Sequence, residues 1–248
     1  MLYDKMRKSV LKTTADGSLT LYVPDLDEHF HSMNGAVQES QHVYIAAGLS
    51  HYIRTTYPAN RTVEGGMQAG INALEFGFGT GLNAFLTALE AEKHRIMIRY
   101  LALEKFPLPP DITNQLNYSA ANRPLFHDIH RSEWGIPVSI SPYFSLQKLA
   151  LDFNAFDFPD FYDLVYYDAF APDKQAEVWS QELFDRLFSS MNPGGVLTTY
   201  CAKGSIRRMM SQAGFAVERI PGASGKREML RANVLSDTHA DEEKKEYQ

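Results

Sequence analysis

A chain of 248 residues, 44% apolar and 22% charged, has the make-up of an ordinary globular protein with room for a sizeable core. Its formal charge of −6 excludes indiscriminate nucleic-acid binding through overall positive charge, though not a local basic patch. The single cysteine, Cys201, excludes an internal disulfide and a cysteine zinc site; no apolar run approaches the length of a membrane span and residues 1–8 lack the apolar core of a signal peptide, so the cytoplasm is the expected compartment.

Residues 1–60 read as an N-terminal addition packed beside the main fold. Leu19 to Val23 is strand-like after a turn signal at Asp16-Gly17, and Pro24 ends it. Gln41 to Leu49 fits a short helix or a strand stopping at Gly48. His29 and His31 stand two apart, but no cysteine or third clustered ligand accompanies them, so no metal is expected.

The α/β rhythm starts after Gly65-Gly66. Ile71 to Phe76 is a short apolar strand, and Gly77, Gly79 and Gly81 follow as backbone that tolerates positive φ. Leu82, Phe85, Leu86 and Leu89 then recur at helical spacing over about 82–93. Such a strand–glycine–helix turn lets a nucleotide-like ligand lie against bare backbone at a helix N-terminus. A dinucleotide fingerprint needs G-x-G-x-x-G, and Leu82 stands where its third glycine belongs. Glu75-x-Gly77-x-Gly79-x-Gly81 instead resembles motif I of Rossmann-like S-adenosylmethionine methyltransferases. A plain glycine-rich connection and an NAD or FAD site are the alternatives.

Ile96 to Leu103 is the next strand, ending on Glu104, where such folds place an acid for the ribose hydroxyls; a surface glutamate beside Lys105 is the plain alternative. A weak helix near 111–121 follows three prolines. Pro137 to Ser141 reads as a third strand, then a helix from Leu146 to Phe153, and a fourth strand from Phe161 to Tyr167. A helix from about Ala176 to Met191 stops at the turn Asn192-Pro193-Gly194-Gly195. Val196 to Cys201 is a fifth strand, Ile206 to Ala213 a helix closed by Gly214, and Ala216 to Ile220 a sixth strand. Strands alternating with helices predict an α/β fold with a mainly parallel sheet covered on both faces. Residues 61–235 form this domain, and 236–248 a charged, disordered tail.

Ligands of parallel sheets sit outside the carboxyl ends of the strands, so neighbouring first and fourth strands bring Asp168 to the glycine loop. Asp168-Ala169-Phe170-Ala171-Pro172 resembles the motif after strand four of amine-directed methyltransferases. There a carboxylate accepts an amine N–H and orients its lone pair, with the positioning itself supplying much of the rate. Phe170 stacks on a base or shields the amine in this reading; a turn-capping aspartate beside a core phenylalanine is the plain alternative.

Taken together, Glu39 to Ile45, Glu75 to Asn83, Tyr167 to Pro172, Asn192 to Gly195 and Gly225 to Leu230 resemble the methyltransferase domain of the bacterial bifunctional tRNA wobble-uridine enzyme MnmC over most of residues 20–232. The resemblance implies S-adenosylmethionine as cofactor, held by Glu75, Gly77, Gly79, Thr80, Gly81, Asn83, Glu104 and Asp168. It implies methylation of the 5-aminomethyl group of wobble 2-thiouridine in tRNA, with Asp168 and Phe170 on the acceptor side. No second glycine fingerprint suggests an FAD step, so a separate enzyme is expected to make the aminomethyl form. Lys203, Arg207, Lys226 and Arg227 are the expected tRNA contacts, as a basic rim whose binding weakens with salt, with plain solvated faces as the alternative. A polyamine aminopropyltransferase, a small-molecule N-methyltransferase and a non-catalytic RNA-modification subunit are the rival readings.

Overall fold

The computed structural model describes residues 8–57, 70–118, 122–223 and 225–235. Gly65-Gly66, where the α/β rhythm was expected to begin, the end of the helix expected near 111–121 and the charged tail from 236 lie outside these residues.

An eight-stranded sheet organises the chain. Its strands are β4 (Ile71–Phe76), β5 (Ile98–Leu103), β6 (Pro137–Ser141), β7 (Phe144–Leu149), β8 (Tyr162–Tyr167), β9 (Met191–Thr199), β10 (Ala216–Pro221) and β11 (Glu228–Asn233), in spatial order β10-β11-β9-β8-β4-β5-β7-β6. The five central strands, β9-β8-β4-β5-β7, run parallel, and antiparallel partners close both edges. A small separate sheet pairs β1 (Val10–Thr13), β2 (Leu19–Val23) and β3 (Glu28–His29).

The period of two along each strand builds one core on each sheet face. Ile71, Ala73, Ile98, Tyr100, Leu164 and Tyr166 pack on one side, with Phe85 of α3 (Leu82–His94) and Phe126 of α5 (Arg123–Arg131). Also in that core are α1 (Ala36–Ser40), the π-helical segment Gln41–Leu49 and α2 (Ser50–Thr55), so the segment from Ala36 to Tyr57 is a structural layer of the main fold. On the other face, Leu74, Phe76, Leu103, Val165, Tyr167 and Leu197 meet α6 (Gln181–Ser189) and α7 (Gly204–Ala213). A four-residue helix, α4 (Pro110–Thr113), follows β5.

Four expectations are corrected. Leu146 to Phe153 is not a helix: Phe144–Leu149 is strand β7, parallel to β5. The inward positions are Phe144, Leu146 and Lys148, and the lysine hid the alternation. Lys148 is 1% exposed because its ammonium donates to the carbonyls of Ile129 at 2.8 Å and His130 at 3.0 Å, at the C-terminus of α5. The ammonium also lies 5.0 Å from the ring centroid of Trp134. Second, Gly48 does not stop its element; the π-helical segment runs through it into α2, and a Cβ there would sit 3.2 Å from the Tyr166 ring. Third, Asn192 to Gly195 is an irregular stretch within β9, where the register against β8 slips, not a free turn. Fourth, the helix expected over about 176–191 breaks at Ser180, whose hydroxyl caps Leu183 N–H at 3.2 Å. The elements missed include α5 and β11, the latter inserted between β9 and β10, and in the N-terminal segment β1, β3, α1 and α2.

Candidate cofactor and acceptor site

The chain goes from β4 outward through β5 to β7, then returns to the other side of β4 as β8. That reversal opens a crevice at the carboxyl ends of β4 and β8, the position at which parallel sheets bind ligands. Asp168 N–H donates to Phe76 carbonyl at 2.9 Å, so the two strand ends remain paired up to the glycine loop. Gly77 has φ +93°, and a Cβ on it would lie 2.6 Å from the Asp168 carbonyl oxygen. Gly79 has φ +49°, with the Phe30 ring 3.1 Å from the place of its missing Cβ. The loop thus requires glycine for its conformation and for its closeness to both neighbours.

A cavity of about 290 Å³ lies above this crevice, with Gly77, Gly79, Thr80, Asn83, Glu104, Asp168 and Phe170 in its wall. Glu104 is fixed to the loop: one carboxylate oxygen accepts Gly79 N–H at 3.0 Å and the other Phe106 N–H at 2.8 Å. Burial raises its pKa. Strand alternation turns Glu75 toward α3, where it is fully buried and accepts from Asn83 Nδ2 at 2.9 Å. Burial, then the charge of Asp168, raise the pKa of Glu75 well above the ordinary carboxylate value. Asn83 spends its other amide hydrogen on Asp168 Oδ2 at 2.8 Å.

Asp168 Oδ1 accepts from the Tyr44 hydroxyl at 2.5 Å. Desolvation pushes the Asp168 pKa up to about 7, against the lowering effect of the bonds from Tyr44 and Asn83. Although the residue keeps some surface, its side chain forms part of the cavity wall. Phe170 meets Phe30 edge to face at 5.2 Å, and the Tyr200 hydroxyl donates to Ala169 carbonyl at 2.9 Å.

The N-terminal segment supplies more of this site than the sequence suggested. Glu28 to Met33 line the cavity with Glu39. His31 is 8% exposed, its Nδ1 3.1 Å from Thr20 Oγ1 and its Nε2 3.4 Å from Thr80 Oγ1, linking β2 to the glycine loop. Burial lowers its pKa to about 4, so the ring is neutral at physiological pH. His130 Nε2 donates to Thr80 carbonyl at 3.1 Å and completes the support of that residue. His29 also lines the cavity, its ring 4.7 Å from that of Tyr22. Repeated glycine spacing was legible in sequence; His31, Phe30 and Tyr44 carried no local signal beyond the run Glu39 to Ile45.

The four expected basic contacts divide. Lys203, Lys226 and Arg227 lie at the end of the sheet that carries the cavity, in the connections after β9 and between β10 and β11. Lys226 is not an unengaged rim cation: it lines the cavity, pairs with Glu39 at 2.7 Å and lies 4.3 Å over the Tyr200 ring. Lys203 is paired with Asp173. Arg227 is exposed, whereas Arg207 is half-buried on α7 with its Nε lacking a partner among the described residues. Arg231, close in sequence to Lys226 and Arg227, sits in β11 opposite Glu218 and pairs with it at 3.1 Å.

The residues present fit S-adenosylmethionine. Asn83 Oδ1 and Glu75 Oε2 are buried acceptors without hydrogen-bond partners among the described residues, and Asn83 forms part of the cavity wall. An aminoacyl ammonium near Asn83 would satisfy its free acceptor, and Glu104 keeps acceptor capacity for hydroxyls. The glycine cradle leaves room where any Cβ would intrude.

Comparison with known proteins agrees. Residues 149–234 match a family model described as S-adenosyl-L-methionine-dependent methyltransferase. The tRNA 5-methylaminomethyl-2-thiouridine biosynthesis bifunctional protein MnmC of Aeromonas salmonicida is 28% identical over 228 residues, covering 82% of this chain and 32% of that protein. Its counterpart in Pseudomonas fluorescens is 29% identical over 230 residues, with 84% and 32% covered. The chain therefore spans about a third of the length of these relatives. Among solved structures, MNMC2 from Aquifex aeolicus superposes with a TM-score of 0.68 at 22% identity, covering 94% of this chain and 75% of that one. Spermidine synthase from Thermotoga maritima shares the fold at a TM-score of 0.51 and 10% identity, covering 91% and 71%. With glycine cradle, family model and relatives in agreement, the chain has a Rossmann-like fold, matches an S-adenosylmethionine-dependent methyltransferase family over residues 149–234, and is similar to part of MnmC.

Proposed function

We propose that this chain methylates the exocyclic amine of 5-aminomethyl-2-thiouridine at the wobble position of tRNA, giving 5-methylaminomethyl-2-thiouridine. The observation that carries the reading is Asp168: a carboxylate bonded from two sides, next to the glycine cradle and in the wall of the same cavity. It joins the relation to MnmC, whose name specifies this modified nucleoside.

When bound, S-adenosylmethionine supplies an electrophilic methyl group on a sulfonium. The protein residues have to deliver an amine with a free lone pair. Asp168 accepts one N–H of the acceptor, which aligns the lone pair and leaves the nitrogen neutral. A carboxylate with a pKa near 7 is also matched to receiving the proton that the amine loses on methylation. Phe170 and Phe30 wall the acceptor side with apolar surface, which excludes water from the amine. Lys226, braced by Glu39 and Tyr200, places one positive charge at the cavity that favours the unprotonated amine. Lys203, Arg227 and Arg207 remain the proposed contacts to tRNA phosphates, the first two from the cavity end of the sheet. The substrate enters already in its aminomethyl form, made in a separate step, and the reaction takes place in the cytoplasm.

The test is nucleoside mass analysis of tRNA from cells lacking the gene. Accumulated 5-aminomethyl-2-thiouridine is the expected result; an unchanged profile refutes the proposal. Incubation of the purified protein with a diamine and decarboxylated S-adenosylmethionine provides the control, and aminopropyl transfer there would replace the tRNA reading.

A further inference from the structure

Tyr44 is buried, lies on a different element from every expected cofactor residue, and has one hydrogen to give. That hydrogen goes to Asp168 Oδ1, 124 positions away in the chain. We infer that Tyr44 is the positioning residue of the acceptor carboxylate, fixing the orientation of Asp168 and keeping it in its charged form. This inference rests on the reading that Asp168 faces the acceptor amine.

Three features separate this arrangement from an incidental core contact. The first is the element: Tyr44 sits in a nine-residue π-helical segment, a geometry that is uncommon at this length and frequently marks functional sites. The second is the fit against the sheet. Gly48 lies one turn further along, and its missing Cβ would press within 3.2 Å of the Tyr166 ring and Thr198 Oγ1. The segment therefore lies flush on β8 and β9, and the Tyr44 ring packs 5.2 Å from that of Tyr166, with its hydroxyl reaching the end of β8. The third is the division of labour around the carboxylate. Tyr44 takes one lone pair of Oδ1 and Asn83 one of Oδ2, which holds the group at both oxygens and leaves each with a further acceptor lobe. Asn83 also serves Glu75 and the proposed cofactor end of the cavity, whereas the Tyr44 hydroxyl serves Asp168 alone among the described residues.

The charges around Asp168 come from every element packed on it. Glu39 from α1, Glu75 from β4 and Tyr200 beyond β9 surround it with present or potential negative charge, and Lys226 is the cation that opposes them. Tyr100 of β5 couples to the same cluster through Glu75. In this setting the Tyr44 hydroxyl is a donor at all working pH values, because burial and the Asp168 charge raise its pKa well above the ordinary phenol value. A hydrogen bond given to the charged form favours that form. Loss of the donor therefore moves Asp168 toward its neutral form, a weaker acceptor that cannot take up the amine's proton.

The deciding measurement follows the Asp168 carboxylate by NMR in protein labelled with 13C at the aspartate carboxyl carbons, the signal being assigned by its absence in Asp168→Asn. Tyr44→Phe keeps the ring and its packing, and is expected to raise the titration midpoint by about one pH unit, a tenfold gain in proton affinity. Replacement of Tyr44 by 3-fluorotyrosine, a more acidic phenol, is expected to lower it, and this arm decides if Tyr44→Phe fails to fold. Midpoints unmoved in both variants overturn the inference. With hypomodified tRNA, the acid limb of kcat for Tyr44→Phe follows the NMR midpoint upward, while calorimetric affinity for S-adenosylmethionine above that midpoint stays within about twofold. A shifted midpoint in a protein whose wild type leaves tRNA unmethylated supports the Tyr44 inference and removes the tRNA reading; methylated tRNA with unmoved midpoints does the reverse.

Discussion

Asp168→Asn tests the electrostatic reading of the site without any substrate. In the folded chain the Asp168 pKa is raised from 3.8 to about 7, chiefly by desolvation. Between those values the native state binds the proton and the unfolded state does not, so stability falls as pH rises and levels off above pH 7. Each pH unit well inside that window costs about 1.4 kcal/mol, and because the slope halves at the native pKa the loss between pH 5 and pH 7 is about 2.3 kcal/mol. Water in the cavity screens a carboxylate that keeps some surface, so about 1.5–2.3 kcal/mol is expected. For a chain of this size that corresponds to roughly 3–10 °C in melting temperature. The assay is thermal unfolding of both proteins without cofactor in a pH series from 5 to 8. The asparagine variant has an offset of its own, because its amide nitrogen opposes that of Asn83 or its oxygen must be reoriented. What counts is therefore the change in the difference with pH, with the wild type losing ground as pH rises. Two melting curves that stay parallel to within 1 °C would show that Asp168 does not titrate in this range, and would refute the proton-accepting role.

Gly77→Ala forces a Cβ to within 2.6 Å of the Asp168 carbonyl at φ +93°, so it should cost about 2 kcal/mol or more. Calorimetric affinity for S-adenosylmethionine should drop more than tenfold, and wild-type affinity would refute the cradle. His31→Gln should flatten the acid side of the stability curve. The His31 pKa is lowered from 6.5 to about 4, so the unfolded chain takes up protons across that window while the native one does not, and stability falls as pH falls. Melting from pH 7 to pH 4.5 checks this, an unaltered slope being the contrary result. Lys148→Met should destabilise by about 2–3 kcal/mol, because the Ile129 and His130 carbonyls lose their buried donor. A loss under 0.5 kcal/mol in denaturant unfolding would show that water replaces the ammonium.

Local patterns were legible wherever a residue's own neighbours determine its role. The strand Ile71–Phe76, the three glycines and the start of α3 read correctly because backbone sterics and apolar spacing act over a few residues. The parallel sheet was legible for the same reason, through the alternation of strands and helices. Where a buried charge interrupts the pattern, reading failed. Lys148 made β7 look helical because the sequence does not carry the two helix-end carbonyls that make its burial tolerable. Similarly, the charges at Glu228 and Arg231 hid β11, whose arginine finds its partner in Glu218 only once β10 lies alongside.

The glycine loop and Asp168 can each be picked out along the chain, since glycine conformation and a carboxylate at a strand end are properties of a few consecutive residues. Their meeting, and everything that tunes the acid, belongs to tertiary structure. The distance from Tyr44 to Asp168 depends on a π-helical segment laid flush on β8, and the pairing of Lys226 with Glu39 on bringing a loop to α1 from 187 residues away. Desolvation is a property of what surrounds a group in space, so no run of residues around position 168 could have announced a carboxylate with a pKa near 7.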